Sequence, residues 1–269
     1  MTDHTYRDRY GPVALITGAS SGIGWAFAEE LAERGFDLVL AARRTERLEE
    51  LAAKLAAAHG TRSQLCESDL AQRDAPARLL AETRDVDIGL VVSNAGFNIR
   101  GGFETTDAAE MADMLTVNCH APMQLAHGFL PRLKARAANG RGGGLIFTSS
   151  VEGLIGCPYS TAYSASKALV VSLGEGLWGE LLGTGIDVLT LCPGATESEA
   201  TAKYAEKYAA VPNMQPARDV ARLTLDNIAE GPTYVPNDHY RAQFDQVTAM
   251  PRRDALTAMA SAMRTQEAR

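Results

Sequence analysis

Residues 13–24 read VALITGASSGIG, a short apolar run that passes into a glycine-rich turn. A helical pattern follows through Arg34 and Gly35. Strand, tight turn and helix in this order are what a dinucleotide site requires. Glycines let the backbone approach closely, and the start of the helix offers free N–H groups and its positive end to a pyrophosphate. The stretch therefore predicts a phosphate-binding loop, with an ordinary surface loop as the alternative.

The rest of the chain repeats this alternation of strands and helices. Apolar runs predict further strands at 37–42, 64–66, 88–92, 144–150, 186–191 and 233–235. Helical patterns lie between them, and this rhythm indicates a parallel sheet covered on both faces. We therefore predict an α/β fold, a Rossmann-like doubly wound parallel sheet of about seven strands with helices on both faces, in a single domain.

The chain divides into segments of different character. Residues 1–11 are polar and charged and are predicted to be an N-terminal tail. Residues 12–238 carry the strand and helix pattern of the catalytic domain, within which about 195–213 is predicted to be a mobile substrate-binding loop. Residues 239–269 read as a C-terminal helical extension of the same domain, broken at Pro251.

Composition narrows the class of protein. The 269 residues are 46% hydrophobic and 22% charged, which is ordinary for a soluble globular chain. A net charge of -7 argues against a nucleic-acid surface, which needs a basic face. No apolar run approaches the roughly 18 residues of a membrane span, and the polar start is not a secretory signal.

The four cysteines are widely spaced and form no CxxC pair; they are Cys66, Cys119, Cys157 and Cys192. This spacing favours reduced, buried thiols over zinc ligands or disulfides, so no metal site is predicted. A cytoplasmic location follows as the expectation.

The second strand ends in Arg43 and Arg44 instead of an acid. An acid at this place would take the ribose hydroxyls of a bound dinucleotide, whereas an arginine accommodates a 2′-phosphate. The sequence therefore favours NADP over NAD, unless the two arginines merely begin the charged helix 45–59. Beyond the third strand, the carboxylate of Asp69 is placed either to accept from the adenine amino group or to cap a helix starting at Ala71.

Two further patterns contain asparagine. Asn94, Ala95 and Gly96 follow the fourth strand, where small residues suit close packing beside a cofactor, and a simple turn is the alternative. Asn118 lies inside a long helical region, about 107–138. An asparagine in mid-helix is mildly unfavourable and often marks a bend or a bound water.

Tyr163 and Lys167 stand four residues apart on a predicted helix, so their side chains project from the same face. A nearby cation favours the phenolate and lowers a tyrosine pKa by roughly 1–3 units, which would make the pair a proton donor and acceptor. Alternatively they are a solvated surface pair. Ser150 ends the fifth strand, where its hydroxyl could hold a carbonyl oxygen.

With four separated motifs in order, the chain resembles the short-chain dehydrogenase/reductase family over about 13–235; the motifs are 17–24, 94–96, the set Ser150, Tyr163 and Lys167, and Pro193-Gly194. The resemblance implies that Tyr163 is the general acid or base and that Ser150 polarises the substrate oxygen. It also implies that Lys167 lowers the Tyr163 pKa and bonds the nicotinamide ribose. Asn118 would hold a water that links Lys167 to solvent.

The resemblance also completes the set of expected cofactor contacts, around Ile23, Leu70 and the Pro193-Gly194 loop. The predicted catalytic residues are Asn118, Ser150, Tyr163 and Lys167. The predicted cofactor-binding residues are Gly18, Ser20, Ser21, Gly22, Ile23, Gly24, Arg43, Arg44, Asp69, Leu70, Asn94, Ala95, Gly96, Tyr163, Lys167, Pro193, Gly194 and Thr196.

Several positions depart from the family pattern. Ser20 and Ser21 stand where some NADP-preferring members carry a basic residue, and Ser93 replaces an asparagine. Pro193-Gly194 is followed by 196–198, which read Thr-Glu-Ser, so the hydroxyl that meets the carboxamide stays open. The glycine-rich strand ending of tetrameric members is missing. A homodimer through the long helices, 107–138 and 163–182, is therefore as plausible as a homotetramer.

The implied function is an NADP(H)-dependent carbonyl reductase that works reversibly on a small-molecule ketone or aldehyde and the matching alcohol. Apolar and aromatic residues in 151–162 and 195–211 suggest a partly apolar substrate; they are Leu154, Ile155, Tyr159, Tyr204 and Tyr208. A steroid-like ketone, a 3-oxoacyl thioester and a xenobiotic carbonyl all remain open, and helix packing also explains some of these tyrosines. The rivals are a non-catalytic NADP sensor or scaffold and an epimerase or dehydratase on the same sheet.

Overall fold

The structure, a computed structural model, describes residues 3–198 and 213–267 and is built around one parallel sheet. Its strands lie in the order β3-β2-β1-β4-β5-β6-β7. They are β1 (Val13–Thr17), β2 (Asp37–Ala42), β3 (Ser63–Glu67), β4 (Ile88–Ser93), β5 (Gly143–Thr148), β6 (Ile186–Leu191) and β7 (Thr233–Tyr234). The chain order reverses between β1 and β4, which opens a crevice at the carboxyl ends of these strands, where such sheets bind ligands.

Helices connect the strands and cover both faces of the sheet. In the described part of the chain they are α1 (Asp3–Tyr10), α2 (Gly22–Glu33), α3 (Thr45–His59), α4 (Ala75–Glu82), α5 (Ala108–Leu115), α6 (Ala121–Ala138), α7 (Thr161–Glu180), α8 (Ala217–Asp226), α9 (Asp238–Ala249) and α10 (Arg252–Glu267). The predicted fold class is thereby confirmed. The strand and helix boundaries predicted for β2, α3 and β6 match those observed.

The core forms two layers because alternate residues of each buried strand point to opposite faces. Ile16 and its counterparts on the other strands pack with α2, α3 and α8. Leu15 and its counterparts pack with α4, α6 and α7 on the other face. This double burial explains why the strands read as nearly continuous apolar runs, and it holds their carboxyl ends at fixed spacing beneath the site.

The prediction of a polar tail over residues 1–11 is wrong. Residues 3–10 form α1, and Tyr6 and Tyr10 are buried in the core at 4% and 0% exposure. The Tyr10 hydroxyl donates to Asp187 Oδ2 on β6 at 2.5 Å, and Arg9 pairs with the same carboxylate. The two tyrosines supply an apolar face that is too short to stand out from six charged or polar neighbours.

Of the other local predictions, the one for Asp69 is wrong, and the one for the substrate-binding loop concerns residues that the structure mostly does not describe. Asp69 does not cap a helix, because α4 begins only at Ala75; the Asp69 carboxylate instead accepts from the Ala71 N–H at 3.2 Å within a turn. The predicted substrate-binding loop over about 195–213, including Tyr204 and Tyr208, falls mostly outside the described residues. The C-terminal extension forms two helices on either side of Pro251, as predicted.

The four cysteines are free and buried, as their spacing predicts. In the part of the chain that the structure describes, no helix has the length and apolarity needed to cross a membrane.

Candidate active site

The glycine-rich turn lies between β1 and α2 with the geometry that its sequence predicts. Gly18 has φ +68, a left-handed conformation that favours glycine. A Cβ atom on Gly24 would lie 2.2 Å from the Gly18 carbonyl oxygen, so no side chain fits there. The helix begins after Ser21 without a side-chain cap, which leaves backbone N–H groups at its start available to an anion.

The two arginines at the end of β2 are placed differently. The Arg44 guanidinium donates to Ser20 Oγ at 3.1 Å and to the Ser20 carbonyl oxygen at 3.4 Å. The structure therefore brings Arg44 onto the glycine-rich turn. Arg43 is exposed at the end of the strand. Both arginines lie at the carboxyl edge of the sheet, beside the turn that starts α2.

The loop after β3 carries one polar group that sequence reasoning missed. Ser68 is 7% exposed, and its hydroxyl is buried without a hydrogen-bond partner among the described residues. It precedes the partly buried Asp69, while Leu70 packs in a small cluster with Ala95 and Ala121. The position of Ser68 just after a strand could have indicated a binding residue, but serines are too common in turns for this position alone to distinguish it.

Asn94, Ala95 and Gly96 join the glycine-rich turn to the catalytic candidates. The Asn94 N–H donates to Thr17 Oγ1 at 3.0 Å, and the Asn94 Nδ2 donates to the Thr17 carbonyl oxygen at 3.2 Å. The segment lies so close to the turn that a Cβ on Gly18 would be 2.9 Å from Ala95 Cα. On its other side, a Cβ on Gly96 would be 3.0 Å from Asn118 Oδ1 and 3.2 Å from Lys167 Nζ.

Asn118 marks an irregular turn in the long helical region, as the sequence predicts. Residues Thr116–His120 form a single π-helical turn between α5 and α6. Pro122 follows at once, and a proline cannot donate to the carbonyl four residues earlier, that of Asn118. The wider turn accommodates this break. It directs the Asn118 side chain to Phe97, whose N–H donates to Oδ1 at 3.1 Å and whose carbonyl accepts from Nδ2 at 2.9 Å.

Tyr163 and Lys167 lie on α7, facing the end of β5. The Lys167 ammonium is 4% exposed, donates to the Thr148 carbonyl oxygen at 2.8 Å and lies 5.7 Å from the centre of the Tyr163 ring. The Thr148 hydroxyl donates to Asn94 Oδ1 at 3.2 Å. Ser150 does not end β5 as predicted but lies two residues beyond it, at the start of a 3-10 turn; it is buried beside them, and its Oγ accepts from the Glu152 N–H at 3.1 Å. The structure thus brings Ser150, Tyr163, Lys167 and Asn94 to one edge of the sheet.

The protonation of this cluster differs from the sequence expectation. The pKa of Tyr163 is raised to about 12, first by burial and then by the Glu152 carboxylate, while the Ser150 hydroxyl and Arg100 lower it. Burial lowers the pKa of Lys167 to about 8. The expected fall of the Tyr163 pKa toward neutral pH is therefore not found; the pKa lies above its ordinary value. The Lys167 ammonium donates to the Thr148 carbonyl oxygen, and burial of the phenol is the largest influence on the Tyr163 pKa.

The loop at Pro193 and Gly194 is covered by the C-terminal helices of the same chain. A Cβ on Gly194 would lie 2.1 Å from the Tyr240 ring of α9, so only glycine allows this contact. The Cys157 and Met263 sulfur atoms, from the loop after β5 and from α10, are 3.5 Å apart. Thr196 donates its hydroxyl proton to the Gly194 carbonyl oxygen at 3.1 Å. The extension therefore lies on its own active-site edge.

Sequence reasoning overlooked several residues that organise the site. Thr17 and Thr148 connect Asn94 to its neighbours, and Arg100 pairs with Glu152 beside Ser150. Hydroxyl residues at the ends of β1 and β5 were visible in the sequence, but their partners are set by the order of strands in the sheet. The ion pair joins positions 52 residues apart and carries no local signal.

Comparison with known proteins connects this geometry to characterised chains. A family model described as short chain dehydrogenase matches residues 12–209. The 7beta-hydroxysteroid dehydrogenase of Clostridium sardiniense is 30% identical over 256 residues, which are 94% of this chain and 96% of the relative.

Two solved structures extend the comparison. A short-chain dehydrogenase from Sphingobium yanoikuyae in complex with NADPH is 32% identical, with a TM-score of 0.79 over 92% of this chain and 95% of that one. A short chain dehydrogenase/reductase from Burkholderia phymatum in complex with NAD is 28% identical, with a TM-score of 0.78 over 88% of this chain and 93% of that one.

Proposed function

The chain belongs to the short chain dehydrogenase family, and we propose that it is an NADP(H)-dependent carbonyl reductase that interconverts a ketone or aldehyde and the matching alcohol. One observation carries the proposal. The hydrogen bonds from Lys167 to the Thr148 carbonyl and from the Thr148 hydroxyl to Asn94 connect the proton-transfer residues to the segment packed on the glycine-rich turn. A nucleotide on that turn and a carbonyl at Ser150 would therefore share one edge of the sheet.

The residues present fit a nicotinamide dinucleotide. Gly18 and Gly24 leave the close backbone approach that a pyrophosphate needs, and the start of α2 has no side-chain cap. The buried hydroxyl of Ser68, without a partner among the described residues, fits beside an adenine. When bound, NADPH would supply the hydride. Arg44, held on Ser20, and the exposed Arg43 support a 2′-phosphate and hence NADP, and the Sphingobium yanoikuyae relative holds NADPH.

Ser150 and Tyr163 would handle the substrate oxygen. Ser150 Oγ already accepts from the Glu152 N–H, so its own proton is available to polarise a carbonyl oxygen. Tyr163, with a pKa of about 12, is protonated at neutral pH and can donate its proton as the alkoxide forms. The protonated phenol favours the direction of carbonyl reduction at neutral pH.

Lys167 and Asn118 would support Tyr163, the first by returning its proton and the second by holding the neighbouring backbone in place. With a pKa of about 8, the Lys167 ammonium is acidic enough to return a proton to the tyrosine after each turnover. Asn118 fixes both backbone polar groups of Phe97 and so holds the segment that contains Gly96 against Lys167. Asn118 would thus keep the ammonium and its surroundings in place, in addition to the water-holding role that the family implies.

A bulky, partly apolar ketone is the substrate class that we propose. Partly buried Val151, Leu154 and Tyr240 pack beside Cys192 and Val235 next to the site. The Clostridium sardiniense relative acts on a hydroxysteroid, which has this character. A 3-oxoacyl thioester is the alternative within enzymes. The residues that would distinguish the two, Lys203 and Lys207 among them, lie outside the described part of the chain.

A non-catalytic sensor of NADP is the rival from another class. Such a protein would have lost one of the reacting groups. Here Ser150, Tyr163 and Lys167 are all present and lie together, and Asn118 holds the adjoining segment. This arrangement favours catalysis over sensing.

We further propose a homo-oligomer formed through the long helices. Leu115 at the end of α5, Met123 on α6 and Leu169 on α7 are 45%, 43% and 39% exposed, although all three are large and apolar. Exposed apolar side chains on neighbouring helices are typical of subunit contacts. Light scattering on the protein and on a Leu115→Glu, Leu169→Glu variant tests this, since a retained mass in the variant would contradict the proposed surface.

Reduction of a ketone panel tests the main proposal. Nicotinamide absorbance is followed with NADPH and, separately, NADH against aliphatic, aryl, steroid and acyl-thioester ketones. We expect faster turnover with NADPH, its loss by at least about 10²-fold in Tyr163→Phe, and nearly unchanged NADPH binding in that variant. Arg44→Ala should weaken NADPH more than NADH. Retained turnover in Tyr163→Phe would contradict the proposal, and tight NADPH binding without turnover would favour the sensor.

A further inference from the structure

An ion pair fastens two loops beside the proposed catalytic residues. Arg100 lies in the segment after β4, and Glu152 lies in the short 3-10 turn Val151–Gly153 after β5. Their side chains are in direct contact and are 38% and 18% exposed. A second link lies next to the first, because the Gly101 N–H donates to the Tyr159 carbonyl oxygen at 2.8 Å. Tyr159 has φ +58, a left-handed conformation that is uncommon for a tyrosine and that this bond helps to hold.

Glu152 is also connected to Ser150 through its backbone. The Glu152 N–H donates to Ser150 Oγ at 3.1 Å, and this bond occupies one acceptor position of the hydroxyl. A Cβ on the next residue, Gly153, would lie 2.7 Å from the Lys167 backbone, so the turn is pressed against α7. Any shift of Glu152 would therefore change the direction of the Ser150 hydroxyl and the contact of the turn with the helix that carries Tyr163.

The Glu152 carboxylate acts on Tyr163 electrostatically as well. One of its oxygens, Oε2, is buried without a direct hydrogen-bond partner among the described residues, while Arg100 pairs with the other oxygen. The Cys157 thiol faces the same carboxylate, and burial and then this charge raise the thiol pKa. The carboxylate raises the pKa of Tyr163, and the Arg100 guanidinium lowers it. The other ionisable groups facing Tyr163 in the described chain are Cys192, which raises that pKa, and the Lys167 ammonium 5.7 Å from the ring.

We propose that Arg100 and Glu152 are a positioning pair, which holds the turn after β5 in place, orients the Ser150 hydroxyl and sets the local charge at this end of α7. This inference rests on the proposed reductase function and concerns two residues with no role in it so far. The pair would keep the phenol protonated through the neutral range, while Arg100 prevents the carboxylate from raising the barrier to phenolate formation further.

Variants that remove the charge of Glu152 or of Arg100 test the proposed role of the pair. Glu152→Gln, Arg100→Gln and the double variant are compared in ketone reduction with NADPH from about pH 6 to pH 10, each with the more acidic 3,5-difluorotyrosine at position 163, because the pKa of Tyr163 itself, about 12, lies above this range. Arg62→Gln, which removes an exposed guanidinium paired with Asp37 far along the sheet, is the matched control. We expect the basic limb of kcat to move down by about 1 pH unit in Glu152→Gln and up by a similar amount in Arg100→Gln. The double variant should lie between them, and the control should not move.

A second readout separates this inference from the reductase assignment. Replacing Tyr163 by 3,5-difluorotyrosine, whose phenol is intrinsically more acidic, allows its titration to be followed by fluorine NMR without substrate. Opposite shifts of that titration in Glu152→Gln and Arg100→Gln support the pair even if no ketone is reduced. Two outcomes would overturn the proposal: equal losses of kcat in both variants without a shift of either pH profile, or shifts in the same direction. Either would mean that the ion pair only stabilises the local fold.

Discussion

Lys167 and Arg136 are both buried cations, at 4% and 5% exposure. Lys167 lies at the carboxyl end of β5 and Arg136 at the amino ends of β4 and β5, and the two charges have different partners. Arg136 on α6 pairs with the Asp87 carboxylate and donates to the Gly11 and Gly142 carbonyl oxygens. The Lys167 ammonium donates to the Thr148 carbonyl oxygen, and no carboxylate in the described residues lies within ion-pair distance. Arg136 thus has an ionised carboxylate and two carbonyl oxygens as partners, whereas Lys167 has only a neutral carbonyl oxygen among the described residues.

This difference indicates that the Arg136 charge stabilises the fold, whereas the Lys167 charge can take part in proton transfer. At the Arg136 end, hydrogen bonds from Arg136 and Arg141 hold the pKa of Asp87 down although burial raises it, so the buried guanidinium faces a carboxylate that stays ionised. At the Lys167 end, burial lowers the ammonium pKa to about 8, close to the working range of a proton carrier. Leaving a buried cation without a carboxylate costs stability and makes its proton available.

The largest effect is expected from removing the uncompensated cation. Lys167→Met should lower ketone reduction by about 10²–10⁴-fold, because the return of a proton to Tyr163 is lost. The free energy of unfolding at neutral pH should not fall, since removal of a buried, uncompensated cation offsets the lost hydrogen bond to Thr148 and no charge is left unpaired. Steady-state kinetics and thermal unfolding measure both. A variant that is inactive because it is unfolded would contradict the distinction.

The opposite pattern is expected for the compensated cation. Arg136→Met should reduce the free energy of unfolding by about 3 kcal/mol, because the Gly11 carbonyl and the Asp87 carboxylate lose a buried partner. Activity per folded molecule should stay within about twofold. Arg141→Met is the matched control, as Arg141 pairs with the same Asp87 carboxylate from a half-exposed position and should cost less than about 1 kcal/mol. Equal losses in the two variants, measured by urea denaturation, would argue against burial as the cause.

The smallest effect is a pH dependence of stability. The folded-state pKa of Lys167 lies near 8 and the unfolded value near 10.5, so between these values the folded protein binds fewer protons than the unfolded chain. Stability should therefore rise with pH across this window and be constant below it with respect to this group. Relative to Lys167→Met, the protein should gain up to roughly 3 kcal/mol between about pH 8 and pH 10.5. Lys54→Met, which removes an exposed ammonium, controls for net charge, and a difference that falls with pH would reverse the sign argued here.

Local order in this protein could be predicted well from the sequence. The strands β2 and β6 and the helix α3 have boundaries that follow from apolar runs and turn residues alone. Asn118 in mid-helix correctly indicated an irregular turn, and the glycine spacing of 18–24 predicted the loop found there. These features depend on residues within a few positions of one another.

Features that depend on distant partners could not be predicted. The apolar side of α1 is recognisable only when Asp187 and the core are known, so the segment reads as a polar tail. The Tyr163 pKa was expected to fall from its spacing to Lys167, but burial and Glu152 decide it, and neither is visible in that spacing. Likewise, Arg43 and Arg44 are equivalent in the sequence, and only the fold places Arg44 on Ser20.

The contact between α1 and β6 has a consequence for how the protein is made. Tyr10 and Asp187, which form a hydrogen bond, are 177 positions apart in the chain. A ribosome adding about 5–20 residues per second needs roughly 10–35 s to synthesise the chain between them. Throughout that interval Tyr10 lacks this hydrogen-bond partner. The helix at the start of the chain therefore completes its docking only after the sixth strand has been made.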